Sequence, residues 1–531
     1  MTRTHRPLAT DRAGRWHRFG ALPRRRVEEG VAFGSGLLAV YGLPGDLLFP
    51  AALVGFALFF RLVVAVPPRR GLFLGWIFGL GHFSLGLTWL YRTLHDLGGL
   101  PLPVALAMLF LLASVLALYP AIFGGLLPSL APRPWLLPLV APALWVVTEW
   151  LRGSLFTGFP WNLAGYMLTR WESMLQVADL GGVLLLSFVA LLPSAVLAWL
   201  FTPGVGRTAR MAAPLLPVLL WGVVFLYGEW RLVEVAEEGA GLGPPVRVGL
   251  VQGNIPQHLK WEVSQQEETL ERYLSLSASL TPPVDLVVWP ETAIPFFVQA
   301  SPESVERLTA LSRQLRAPVL SGVPTADRRE GGGWRFYNSV LMFTDEGGIR
   351  YRYDKRHLVP FGEFIPLRRW VPGTFHKFTE GTEDFTPGSG SPLLPWSLGG
   401  IGPLICFEAI FSEEVARVAA SGARWLVNVT NDAWFGEKAK PQHLAMTRVR
   451  AVESRLPLIR VANTGISAAF DATGHLLGAI PSAVAGARVV EVPRGAGGSF
   501  FVTSARWWIC VWLGLALLPG VVFVLSGGRR N

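Results

Sequence analysis

GIGPLICFEAIF (400–411) is an apolar run that opens on glycine and stops at a cysteine followed by an aromatic residue and an acid. A run of this length, closed by a polar turn, reads as a buried strand. VRVGLVQGN (246–254), VDLVVWPETAI (284–294), APVLSGVPT (317–325), SVLMFTDEGG (339–348) and ARWLVNVTNDAW (423–434) repeat the pattern. Polar stretches with helical character separate several of them, at 264–280, 302–316 and 440–456. ISAAFDATGHLLGAI (466–480) reads as a hairpin around Asp471–Gly474. Strands alternating with helices predict an α/β layered domain over 245–495.

Outside this domain the chain changes character. Of its 531 residues 51% are hydrophobic and 16% charged, against about 25% charged in an ordinary soluble protein. That composition excludes a single soluble globule. The segments 47–66, 71–90, 104–127, 135–151, 180–201, 211–228 and 507–526 are apolar. Each is long enough, or nearly so, to cross a hydrocarbon layer about 30 Å thick. Arg61 and His82 stand inside two of them, and Arg61 is read as reaching back to the interface. The segment 31–43 is apolar but short.

Charge orients these segments. The first thirty residues hold eight Arg and three acids, which is half of the net +10. Nucleic-acid binding calls for such charge interleaved with aromatics on a folded surface. Here it precedes apolar segments, the pattern of a cytoplasmic membrane flank. Arg69/Arg70, Arg133 and Arg207/Arg210 fall in alternate connectors. With both ends cytoplasmic the number of spans is even, so 31–43 counts and the total is eight. The expected organisation is a basic tail 1–30, a seven-span membrane domain 31–228, the α/β domain on the extracytoplasmic face, and a final span 507–526. No internal repeat points to a transporter; the bundle reads as an anchor or a platform that supplies a lipid.

Three reactive residues follow buried runs or sit in an adjoining loop: Glu291 after VVWP, Lys355 in YRYDKRHLVPFGEFIP, and Cys406 after GIGPLI. A carboxylate, an ammonium and a thiol are what acyl transfer through a thioester requires. The carboxylate takes the thiol proton, and the ammonium steadies the thiolate and the oxyanion. Taken singly, each has a plain structural alternative: a cap, a solvated charge, a small buried hydrophobe. Choosing lysine at 355 carries weight in a chain with 42 Arg and five Lys, because lysine is a compact point charge. Cys510, the only other cysteine, is expected to be a buried hydrophobe of the last span. Two cysteines exclude a disulfide framework and a Cys-rich metal site.

VVWPET, YDKRHLVPFGEFIP and ICFEAIF resemble the Glu–Lys–Cys motifs of the nitrilase superfamily. With the flanking spans, QGNIPQHLKW (252–261), TGFPWN (157–162) and NDAWFG (431–436) resemble its membrane-bound branch, the apolipoprotein N-acyltransferases. The resemblance implies a polytopic helical bundle carrying an αββα sandwich in a bacterial inner membrane. It implies an enzyme that moves an acyl chain from a phospholipid, typically phosphatidylethanolamine, through a cysteine thioester. The acceptor is the α-amine of an S-diacylglyceryl apolipoprotein.

On the matching positions, Cys406 is the nucleophile, Glu291 the base and Lys355 the oxyanion partner. Glu363, Glu408 and Trp261 are supporting residues, and Phe407 stands where the family often has Tyr. In a strand Glu408 would share a face with Cys406; a helix-start acid is the competing reading. Pro295–Val298 reads either as a lid or as core. His443 and Asp432 stand at no metal-ligand spacing. No metal, cofactor or nucleic acid is implied, and a monomer is expected. The alternatives are a membrane-tethered amidase with the same triad, and a lipid-binding or transport scaffold needing none of it.

Overall fold

The computed structural model describes residues 24–46, 48–366 and 384–525. Most of the expected tail 1–30 and residues 367–383 lie outside these ranges.

The α/β part has eleven strands: β1 Val246–Gln252, β2 Leu286–Val288, β3 Val319–Arg328, β4 Trp334–Thr344, β5 Gly348–Asp354, β6 Ile401–Ile405, β7 Trp425–Thr430, β8 Leu458–Ala462, β9 Ser467–Phe470, β10 Leu476–Ile480 and β11 Gly486–Val492. They form two sheets, ordered β11-β1-β2-β3-β4-β5 and β10-β9-β8-β7-β6. The inner faces meet through Val248, Leu250, Val288, Ile405, Val427 and Ile459. Outside the first sheet, Val251, Val287 and Val319 pack on Leu270 and Leu308, from the helices Gln266–Ala278 and Pro302–Leu315. Outside the second, Leu404 and Leu458 pack on Val415 and Ala451, from Ser412–Ala420 and Ala439–Ser454. This is an αββα sandwich. The pairs β1–β2–β3 and β6–β7–β8 are parallel. β5 returns through antiparallel β4, so it runs with β3.

Several local expectations shift. The strand within 284–294 is only Leu286–Val288, so Glu291 lies three residues past it. The strand within 400–411 ends at Ile405, and Cys406–Ile410 is a 3₁₀ turn. Glu408 therefore shares no strand face with Cys406; it opens that turn and accepts Ile405 N at 2.7 Å. Ile294 and Val298 are buried core, whereas Phe297 is exposed. β5, β8, β11 and the helix Ser412–Ala420 lie beyond what the pattern of runs indicated.

Five helical stretches among the described residues are long and apolar enough to cross a membrane: Leu102–Leu130, Pro134–Ser154, Ala178–Leu200, Arg207–Gly241 and Phe500–Phe523. Phe49–Val64 is shorter. The helices Arg24–Val40 and Pro68–Gly86 are also formed, but the total of eight spans is not established by these criteria. Glycine accounts for part of the difference. A Cβ on Gly71 would lie 2.1 Å from Gly124 O, and one on Gly75 2.2 Å from Pro120 O. Close backbone contact between helices selects residues that add little hydropathy. Arg61, near the end of Phe49–Val64, donates to Phe201 O at 3.0 Å.

Bundle and sandwich share one core. Met446, Val449 and Val452 of the helix Ala439–Ser454, with Phe407, Ile410 and Phe411, pack into the same cluster as Trp145, Trp161 and Leu186. Polar ties cross the same boundary. Arg455 meets Asp179 Oδ2 at 2.7 Å, Glu453 Oε1 accepts Val183 N at 2.7 Å, and Trp161 Nε1 donates to Gln442 at 2.7 Å.

Candidate active site

Both sheets present the carboxyl ends of their parallel strands to one place. Glu291 follows β2, Lys355 follows β5, and Cys406 follows β6. Cys406 sits at φ 51°, a left-handed conformation that a non-glycine residue adopts only when its surroundings impose it. Thr292, directly after Glu291, is at φ 49°. A Cβ on Gly322 of β3 would lie 2.5 Å from Glu291 Cα, so glycine there lets the Glu291 loop press onto the sheet.

The side chains form one buried network. Glu291 Oε1 accepts Asn338 Nδ2 at 2.8 Å, and Oε2 accepts Asn431 N at 2.8 Å. Lys355 Nζ lies 2.8 Å from Glu363 Oε2 and 3.9 Å from Glu291 Oε1. Asn338 Nδ2 also donates to Glu363 Oε1 at 2.8 Å, and Val359 N donates to Glu363 Oε2 at 2.8 Å. Both carboxylates are thus held by donors, which is what allows them to be buried.

Electrostatics follow from that packing. Burial works against the Lys355 ammonium, but Glu363 and then Glu291 outweigh it and hold its pKa above the ordinary value. Burial and the nearby Glu291 charge push the Cys406 thiol up, against the pull of Lys355. The ammonium therefore does not leave the resting sulfur ionised, contrary to what proximity of a cation alone suggests. Cys406 is 8% exposed and Lys355 1%.

The expected supporting residues separate into distinct places. Glu363 is in the network. Glu408 lies behind it, accepting Tyr353 OH at 3.0 Å and Arg356 N at 2.8 Å. Phe407 packs on Phe411, ring centroids 5.2 Å apart, and His357 stacks on Phe411 at 3.8 Å. Trp261 is half-buried in a turn; its neighbour Lys260 is the residue that reaches Glu291. Asn338 has no mark of function in the sequence, being an amide within a strand, and Asn431, which heads NDAWFG, serves Glu291 through its main-chain N–H. Cys510 is exposed on the last helix rather than buried.

A cavity of about 660 Å³ lies between the bundle and the sandwich, lined by residues that adjoin Lys355 and Cys406 along the chain rather than by the network's own side chains. His357 and Leu358, just past Lys355, and Ile410 and Phe411, just past Cys406, form one wall. Trp150, Gly182 and Trp508 of the bundle face them. Glu149 also lines it, an acid that a reading of 135–151 as an apolar span passes over. No group of three or more His, Cys, Asp or Glu suited to a metal exists among the described residues.

Comparison with known proteins matches residues 35–196 to the apolipoprotein N-acyltransferase N-terminal domain and 247–499 to the carbon-nitrogen hydrolase family. A Geobacter metallireducens apolipoprotein N-acyltransferase is 39% identical over 517 residues, 95% of this chain and 96% of that protein. One from Azotobacter vinelandii is 36% identical over 84% of this chain and 85% of its own length. A carbon-nitrogen hydrolase crystal structure from Helicobacter pylori is 19% identical, at a TM-score of 0.37, covering 51% of this chain and 94% of that one.

Proposed function

Since the chain belongs to the apolipoprotein N-acyltransferase family, we propose that it acylates the α-amine of S-diacylglyceryl cysteine on bacterial lipoproteins with an acyl chain drawn from a phospholipid. The observation that carries this reading is the buried Glu291–Lys355–Glu363 network with Cys406, whose chain neighbours Leu358 and Ile410 line a cavity walled jointly by sandwich and bundle. A soluble amidase needs no such wall. A scaffold needs no such network.

The chemistry follows from the groups. At rest the sulfur is a thiol, because its pKa is raised. As Sγ attacks the acyl ester carbonyl, Glu291 takes its proton, and charge moves from carboxylate to carbonyl oxygen beside Lys355. Collapse expels the lysophospholipid oxygen, which takes the proton from Glu291 and leaves a thioester on Cys406. The incoming amine then gives its proton to Glu291 as it attacks the thioester. The amide forms, and the leaving thiolate recovers a proton. Each half returns Glu291 to its carboxylate, so donor and acceptor react in turn.

Phosphatidylethanolamine is the proposed donor and a monomer the proposed state. The proposed setting is the inner membrane, with the sandwich on the extracytoplasmic face and both termini cytoplasmic. The alternating Arg-bearing connectors support that orientation. Incubation with acyl-labelled phospholipid and no acceptor tests the reading. Label is expected on the Cys406 peptide and is expected to leave when a diacylglyceryl-cysteine peptide is added. Product formation without label ever reaching the protein overturns the thioester route.

A further inference from the structure

Lys260 is one of five lysines in a chain with 42 arginines, and it is 2% exposed. A fully buried ammonium is costly unless its charge and its three N–H groups are served. Lys260 Nζ donates to the main-chain oxygen of Glu291 at 3.0 Å. That oxygen belongs to the residue whose side chain is held by Asn338 and Asn431, and whose backbone presses on Gly322. Side chain and main chain of Glu291 are thus fixed separately, the second by Lys260 alone among the bonds described. Left-handed Thr292 follows at once, so the loop has a tight turn to maintain at the clamped carbonyl.

We propose that Lys260 is a positioning residue for the acyl transfer: it clamps the Glu291 loop through the main-chain oxygen and supplies the second positive charge of the site. The inference rests on Cys406 being the nucleophile and Glu291 its base. With Glu291 and Glu363 as carboxylates and Lys355 and Lys260 as ammoniums, these four groups balance. When the thiol proton moves to Glu291 the balance is kept, so a thiolate forms without adding net charge to a dry site. The groups facing Lys260 are Glu291 and Cys406, and burial lowers its pKa to about 8 against their pull. The clamp therefore loses its charge just above neutrality, whereas an arginine in its place would keep it.

The test uses the full-length protein in detergent and reads Cys406 alkylation by an uncharged haloacetamide, alongside loading with labelled phospholipid, from pH 6 to 10. Lys260→Met is expected to slow both on the order of 100-fold, the scale of a misplaced catalytic group, with little change in KM for phospholipid. The wild-type profile is expected to fall away from a simple thiol titration near pH 8. Lys260→Arg is expected to abolish that departure while retaining most of the rate. Rates within twofold of wild type for Lys260→Met, or a departure near pH 8 that persists in Lys260→Arg, overturn the proposal. Should Lys260→Met fail to fold, the Lys260→Arg profile decides. Alkylation at Cys406 without phospholipid loading leaves the clamp intact and removes the acyltransferase reading. An unreactive Cys406 in the wild type removes both.

Discussion

Two buried polar clusters in this molecule are built from different cations. Where the sandwich docks on the bundle, Arg455 spreads its guanidinium over Asp179 Oδ2, Gln176 Oε1, Gln176 O and Ala472 O. In the site, Lys355 and Lys260 each meet one or two oxygens. A planar fork with every N–H engaged is rigid and stays charged. A point charge with donors to spare can follow an oxygen whose charge grows during a reaction. The chain prefers Arg almost everywhere, so two buried lysines in one site stand out.

Changes in the two clusters are therefore expected to differ in kind. The largest effect is expected from Cys406→Ser, with loss of acyl loading on the order of 10⁴-fold or more, the scale for removing a nucleophile. Its melting temperature in detergent should stay near wild type. Loading that persists within tenfold would break the comparison at its reactive end.

Next comes Arg455→Met, which takes one of two arginines from Asp179 and leaves it Arg231 at 2.9 Å and Tyr227 OH at 2.7 Å. The cost is expected to fall below the about 3–5 kcal/mol of a buried charge left unpaired, read as a lowered melting temperature. The pH profile of the protein that remains folded should be unchanged. A shifted profile would mean the docking cluster also tunes the chemistry.

A smaller effect concerns His443, buried on the helix Ala439–Ser454. It contacts Asp432 Oδ1 at 3.2 Å, and its ring lies 5.8 Å from Trp161. Burial and then Arg460 hold its pKa below the ordinary 6.5. The folded protein thus resists a proton that the unfolded chain accepts, so stability present at neutral pH is lost as pH falls through 6.5. The slope is at most about 1.4 kcal/mol per pH unit for one proton. Asp432, held below 3.8 by Arg460 despite burial, adds a loss at lower pH still. His443→Gln should flatten the decline in melting temperature between pH 6.5 and 5.5 and leave the steeper acid branch. An unchanged slope would reassign the decline to other groups.

The smallest effect, none beyond error in loading or melting, is expected from Cys510→Ser on the outer side of the last helix. A measurable loss there would place a second functional thiol in the bundle.

What the sequence made legible was whatever depends on neighbours along the chain. Apolar runs located six strands of the sandwich and the hairpin two more, and the reactive residues stood out because each follows such a run or adjoins one. What stayed hidden depends on neighbours in space. Lys260 lies within QGNIPQHLKW with nothing local to show that it is buried, because its partner is thirty-one residues away. Asn338 is an ordinary strand residue until Glu291 and Glu363 converge on it. Glu408 was placed on a strand face or at a helix start, and only the turn at Cys406 decides between them. The span count depends on glycine-lined contacts in Pro68–Gly86, which hydropathy does not register. Arg460 and Asp432 are buried charges explained by their mutual 2.6 Å contact and by the polar partners Asn428, Thr430 and His443 around them.

The pairing of β1 with β11 bears on how the protein is made. Val246 opens the sandwich and Val492 closes it, and the two are direct partners across an antiparallel ladder. As the chain leaves the ribosome, β1 can pair with β2 early but must wait for almost the whole domain before its other edge is covered. That edge carries Val248 and Leu250, a template for wrong pairing while it stays open. The wait is entropically modest, since closing a longer loop adds cost only logarithmically. In time it is long, and it ends just before the final membrane helix is synthesised. Completion of the sheet and arrival of the last span therefore fall together. A truncation ahead of β11 should leave a bundle carrying a half-closed sandwich, prone to aggregation at its first strand.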